Sequence, residues 1–77
     1  MIEFKKTLEK GSKIYYKFST AGLRGILVID KESLLSEYDK LEGFNSNNSK
    51  EKERLLYIAS KNLSKKNFPE KYTYAFC

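Results

Sequence analysis

The sequence predicts an α+β fold: a small single domain with a mainly antiparallel sheet of about four strands and two helices, in the order β-β-β-α-α-β. Three observations predict it. Residues 2–8 and 14–18 mostly alternate side chains between two faces, the period of a half-buried strand. From Asp30 the apolar spacing changes to that of a helix. Glycines and the single proline, Pro69, stand near the junctions where turns are needed. At 77 residues there is room for one domain and only a small core.

Ile2, Phe4 and Leu8 point to one side of the first strand and Glu3, Lys5 and Thr7 to the other, with Lys6 as the break in the pattern. Glu9 to Ser12 is a turn around Gly11. A second, aromatic-rich strand follows as Ile14-Tyr15-Tyr16-Lys17-Phe18, then a turn around Gly22, then a third strand from Gly25 to Ile29. Short glycine-bearing connections of this kind make an antiparallel meander. Leu34, Tyr38 and Leu41 recur at i, i+4 and i+7, which predicts an amphipathic helix over Lys31–Leu41, capped by Asp30 and ended by Gly43. Residues 44–49, Phe-Asn-Ser-Asn-Asn-Ser, are expected to be a mobile polar linker. A second helix is expected to start near Asn48 and to end before Pro69, with Leu55, Leu56, Ala59 and Leu63 as its apolar stripe. Tyr72 to Phe76 reads as a closing strand with Tyr72, Tyr74 and Phe76 on one side.

Composition weighs against several functions. There is no histidine, and Cys77 at the chain end has no neighbouring base to activate it, so no enzyme activity is expected. No cofactor and no metal site are expected either, since ligand spacing is absent. With a single cysteine no intramolecular disulfide can form, which suits a reducing compartment. The longest apolar run, Ile26 to Ile29, is too short for a membrane span or a leader peptide, and a cytoplasmic location follows as the expectation.

A net charge of +5 invites a polyanionic partner. The charge is segregated, however: residues 1–30 carry +3, residues 31–49 carry −2 and residues 50–77 carry +4. A two-signed surface suits nucleic acid less well than a continuous basic one. Two surfaces are candidates for binding. On the second helix Lys50, Arg54, Lys61 and Lys65 fall within a ~60° sector opposite the apolar stripe, with Tyr57 at its edge. On the third strand Ile26 and Val28 face one side while Leu27 and Ile29 face the other. Such a strand asks for cover on both faces. If both helices lie on one side, the other exposes aliphatics near Tyr15 and Lys17, a surface fit for a protein partner or for self-association. Gly22-Leu23-Arg24-Gly25 has the GxxG form of a backbone-clamping loop, but between two strands it reads as a turn.

The layout of Tyr15-Tyr16-Lys17-Phe18, the Gly25–Asp30 strand, the Asn67-Phe68-Pro69-Glu70 junction and a closing strand resembles small bacterial immunity proteins, the antitoxins encoded beside polymorphic or contact-dependent toxins. The resemblance implies an inhibitor that blocks a protein partner, such as a toxin, by stoichiometric occlusion. It carries no site residues with it. Inhibitors of nucleases are commonly acidic, so a +5 chain implies either a toxin that is acidic at the contact or docking through the first helix, with Glu32 and Asp39. A phage-encoded inhibitor of a host system would leave the same signature. The competing expectation is a small basic nucleic-acid-binding or regulatory domain that uses the helix row.

Overall fold

The structure, a computed structural model, describes residues 1–75. In chain order the elements are β1 (Ile2–Lys10), β2 (Lys13–Thr20), β3 (Leu23–Asp30), β4 (Ser36–Glu42), α1 (Ser49–Lys65) and β5 (Lys71–Tyr74). The strands form one antiparallel sheet in the order β4-β3-β2-β1-β5. Strands β1 to β4 are a meander whose first two turns are two-residue loops, and Gly11 and Gly22 supply the positive φ that such loops demand (61° and 83°). The chain then returns from the β4 edge to the β1 edge through α1. Crossing five strands spans about 19 Å at ~4.8 Å per strand. A helix of 17 residues is about 25 Å long, enough to bridge the sheet diagonally.

The helix buries its stripe against one sheet face. Leu55, Ile58, Ala59 and Leu63 meet Ile2, Phe4, Ile14, Tyr16, Phe18, Leu23, Leu27 and Ile29, and Tyr38, Leu41, Tyr72 and Tyr74 close the margins. Both helix ends follow from sequence. The Asn48 side chain accepts the Glu51 amide at 3.2 Å. At the other end the Phe68 amide donates to the Leu63 carbonyl (2.7 Å) and the Asn67 amide to that of Ser64 (3.0 Å), with Asn67 left-handed at φ 60°. This is a Schellman end with asparagine in the place usually held by glycine, and Phe68 turned back onto the core.

The expected count of four strands and two helices is corrected to five strands and one helix. Residues 31–41 are not a helix. Asp30 does make the cap-like bonds, accepting the amides of Glu32 (2.8 Å) and Ser33 (3.2 Å), and these hold its carboxyl below the usual range. The chain then turns back with Leu34 at φ 63°, and the Asp30 amide donates to the Leu35 carbonyl. Ser36–Glu42 pairs with β3 as a strand. Pairing satisfies a row of β3 backbone groups that a helix there would leave open. The helical spacing comes from a bulge: Leu27 pairs with Tyr38 and Ile26 with Lys40, so Asp39 is an extra residue. One extra residue puts Tyr38 and Leu41 on the same face three positions apart. In a strand with a bulge, i and i+3 share a face just as they do in a helix.

A second bulge corrects β1. Lys6 pairs with Tyr16 and Leu8 with Tyr15, leaving Thr7 extra. Leu8 therefore lies on the face opposite Ile2 and Phe4. Gly43 follows a strand rather than ending a helix, and Phe44 and Asn45 lie against the β2–β3 hairpin, where the Asn45 amide donates to the Gly22 carbonyl (2.8 Å). Strand β5 ends at Tyr74, with Tyr72 and Tyr74 beside Phe4 and Ile2; Phe76 lies outside the described residues.

Gly25 sits where the β4 bulge crowds β3, at φ 156°, and a Cβ there would run into the Lys40 carbonyl oxygen. Gly25→Ala is expected to cost about 2 kcal/mol in urea unfolding, since backbone rather than a flexible side chain must move. Alkaline pH offers an independent check on the core. Burial pushes the Tyr16 hydroxyl up to about 12, with Glu70 and Glu9 adding to it, and burial alone does the same for Tyr38. The unfolded chain releases these protons near the ordinary value of 10. Stability is then complete below pH 10 and falls as pH rises toward 12. Tyr16→Phe should flatten part of that slope when unfolding free energy is measured against pH.

Candidate functional site

A single helix can cover one face of a sheet, and α1 takes the Leu27–Ile29 side. The other face is open. Across it the register aligns Leu8, Tyr15 and Val28 in one row. Glu37 ends this row opposite Val28, and Leu35, just ahead of β4, lines a hollow with Val28, Lys13 and Glu37. Ile26 lies one step along β3. Leu8 is 52% exposed and Leu35 74%, whereas Val28 is 7% exposed without belonging to the core beneath α1. Neighbours on the open face therefore shield Val28, and the patch has a packed centre with exposed shoulders.

The next row is cationic. Ile26 pairs with Lys40 on one side and Lys17 on the other; Lys17 pairs with Lys5, and Lys5 with Lys71. Lys40, Ile26, Lys17, Lys5 and Lys71 thus cross all five strands, about 19 Å at ~4.8 Å per step. Three lysines stand directly opposite one another on adjacent strands, an arrangement that costs stability in a free sheet. Among the described residues none of the four has a carboxylate within 4.0 Å. Of the acids on this face, Glu42 is taken by Arg24 at 3.2 Å, Glu3 lines a hollow with Lys5, Lys17 and Lys71, and Glu37 stands opposite Val28. Elsewhere Glu9 is taken by Lys31 at 2.6 Å, which holds its carboxyl below the usual range. Two shallow hollows flank Lys17: one of about 320 Å³ reaches Lys5 and Lys71, and one of about 400 Å³ reaches Ile26 and Lys40.

The sites expected from sequence fall on opposite sides of the molecule. Tyr15, half-buried, and Lys17, exposed, belong to the open sheet face. Lys50, Arg54, Tyr57, Lys61 and Lys65 are exposed on α1, which packs on the other face of the sheet. The helix row is less uniform than its spacing indicates. Glu53 is exposed among its cations, and the Lys61 ammonium sits 5.6 Å from the centre of the Tyr57 ring. Glu32 and Asp39 share no helix face: one is in the β3–β4 loop and the other is the bulge residue. Docking through an acidic first helix is therefore withdrawn.

Leu8, Leu35, Lys5, Lys40 and Lys71 also belong to the open face and were not singled out from sequence. Lys5 alternates with Phe4, and Lys71 with Tyr72, but only the pairing register puts these lysines side by side. Among the described residues no group of acidic or sulfur ligands is placed to hold a metal ion, and no helix is long and apolar enough to cross a membrane. Comparison with protein-family models, curated proteins and solved structures finds no match to this chain.

Lys5→Glu sets a carboxylate between Lys17 and Lys71, replacing two like-charge neighbours with two opposite ones. The variant is expected to be more stable than the parent by ~0.5 kcal/mol in low-salt denaturant titrations. The gain should shrink as added salt screens the exposed charges.

Proposed function

We propose that this chain is a non-catalytic protein-binding module that neutralises a partner protein by stoichiometric occlusion, as an inhibitor of the immunity type does. One observation carries the reading: the sheet face away from α1 joins an apolar patch, the row Leu8–Tyr15–Val28 with Leu35 at its side, to a rim of charged side chains that includes Glu37 opposite Val28. Protein interfaces have this anatomy, an apolar centre with a polar margin. Tyr15 supplies a rigid amphipathic anchor near the middle of the patch. Action in the cytoplasm fits a chain with one cysteine and no possible internal disulfide.

Nucleic acid is the weaker reading. Sheet surfaces that bind single strands stack successive bases on several aromatic rings. Here Tyr15 is the one aromatic on the open face among the described residues; Tyr16, Phe18, Tyr72 and Tyr74 pack on the α1 side.

Sedimentation of the pure chain, alone and with the product of the adjacent gene, tests the proposal. A monomer alone, a one-to-one complex with that product, and loss of the complex in a still-folded Tyr15→Asp variant are the expected results. Binding to single- or double-stranded nucleic acid whose affinity drops steeply between two salt concentrations would overturn it.

A further inference from the structure

Building on the protein-binding reading, we infer that the partner presents an acidic amphipathic segment, with its carboxylates over the Lys40–Lys17–Lys5–Lys71 row and its apolar side chains on Leu8, Tyr15, Val28 and Leu35. The inference starts from an excess of positive charge on the open face, where Glu3, Glu37 and the Arg24-bound Glu42 stand against four lysines. Four lysines cross the open face in one row, and among the described residues no carboxylate is in ion-pair reach of any of them. Lysines directly opposed on neighbouring strands repel, so the row weakens the isolated sheet. A partner that brings carboxylates removes that repulsion on binding. The complex gains what the free protein lacks.

The row next to it decides what kind of anion fits. Leu8, Tyr15 and Val28 run parallel to the lysines one step along the strands, so charge and apolar surface alternate across the sheet at the pleat spacing. A bare polyanion would satisfy the lysines and leave the apolar row wet. A segment that interleaves Asp or Glu with Leu, Val or aromatic residues satisfies both rows together. Charge at the margin would also speed and orient the encounter, while the apolar contacts hold the complex.

A second copy of the chain fits less well. In a two-fold pair the same face meets itself, and that face brings Lys5, Lys17, Lys40 and Lys71 against Glu3, Glu37 and a Glu42 already taken by Arg24. The pair would add more positive charge to the contact than negative, and desolvating ammonium groups without enough counter-ions is costly. The outer face of α1 fits such a segment less well, because Lys61 is engaged with the Tyr57 ring and, among the described residues, the exposed ones beside it include no aliphatic row.

The test uses the full chain and three probes: a soluble peptide alternating glutamate and leucine, poly-glutamate, and single-stranded oligothymidylate. Amide shifts map the contact, and anisotropy titrations give affinities. The glutamate–leucine peptide should shift Lys5, Lys17, Lys40, Lys71, Tyr15 and Val28, and should bind more tightly than poly-glutamate. Lys5→Glu and, separately, Lys17→Glu should weaken the peptide by about tenfold or more. The pair Lys61→Glu with Lys65→Glu on α1 should leave it unchanged. Because Lys5→Glu is expected to fold at least as stably as the parent, lost binding in that variant cannot be put down to unfolding. Absence of open-face shifts with the peptide, or equal weakening by the α1 pair, overturns the acidic-segment inference; the complex formed with the adjacent gene product remains the separate measure of protein binding. Oligothymidylate that displaces the peptide from the open face overturns both.

Discussion

The Tyr16 side chain is where the sheet, the helix and the last strand are tied together. It lies at the centre of β2, fully buried, with its ring edge-on to Phe4 (centroids 6.5 Å apart, planes at 89°). Its hydroxyl donates to the Pro69 carbonyl at 2.6 Å, in the connection that leads from α1 into β5. A buried phenol needs such an acceptor, and a proline carbonyl outside any regular element needs such a donor. The bond therefore fixes where the chain comes off the helix. The Lys6 amide continues the tie by donating to the Glu70 carbonyl at 2.8 Å, and β5 then enters the sheet alongside β1. Tyr38 repeats the device at the other edge, donating to the Lys52 carbonyl of α1 at 2.7 Å. With hydroxyls pinning it near both ends, α1 lies over one face of the sheet.

That placement has a consequence for the rest of the surface. One helix of 17 residues covers one face of five strands, and the described residues provide no second layer. Everything the sheet directs away from α1 must live in water or under a partner. Charge accounts for much of this face, but β3 sends Ile26 and Val28 to it, and a bulge in β1 adds Leu8. The lysine row follows from the same geometry, since each strand contributes its outward position at one level. Whether such a face is only solvated or is kept for a partner turns on energetics. Opposed lysines cost the free protein stability, and a partner that met them with carboxylates would relieve that cost.

Much of the secondary structure was legible. The alternation in β1 and β2, the apolar run of β3, the Asn48 cap and the stop before Pro69 all follow from local rules, as does the stripe of α1 except that Ile58 rather than Leu56 is buried in it. The misreadings share one cause. Asp39 and Thr7 are bulge residues, and a bulge adds one position to a period of two. In β4 this made Tyr38 and Leu41 look helical, and in β1 it sent Leu8 to the wrong face. Asp30 strengthened the first misreading, because an aspartate that accepts the next amides begins a helix and a tight turn in the same way. No local signal separates the two; the unpaired edge of β3 does.

The amino-acid sequence by itself determined that this is a small α+β protein without histidine, with an amphipathic final helix and with β3 apolar on both sides. These properties reside in single residues and their spacing along the chain. The strand count, the identity of β4 and the open face with its lysine row were decided by the tertiary structure alone. Lys5, Lys17, Lys40 and Lys71 are scattered over sixty-seven positions of the sequence and become neighbours only through hydrogen-bond register. Register depends on which strands meet and where a bulge shifts them. The net charge of +5 noted from composition thus acquires a location: part of it is concentrated in a single row on the face that α1 leaves uncovered.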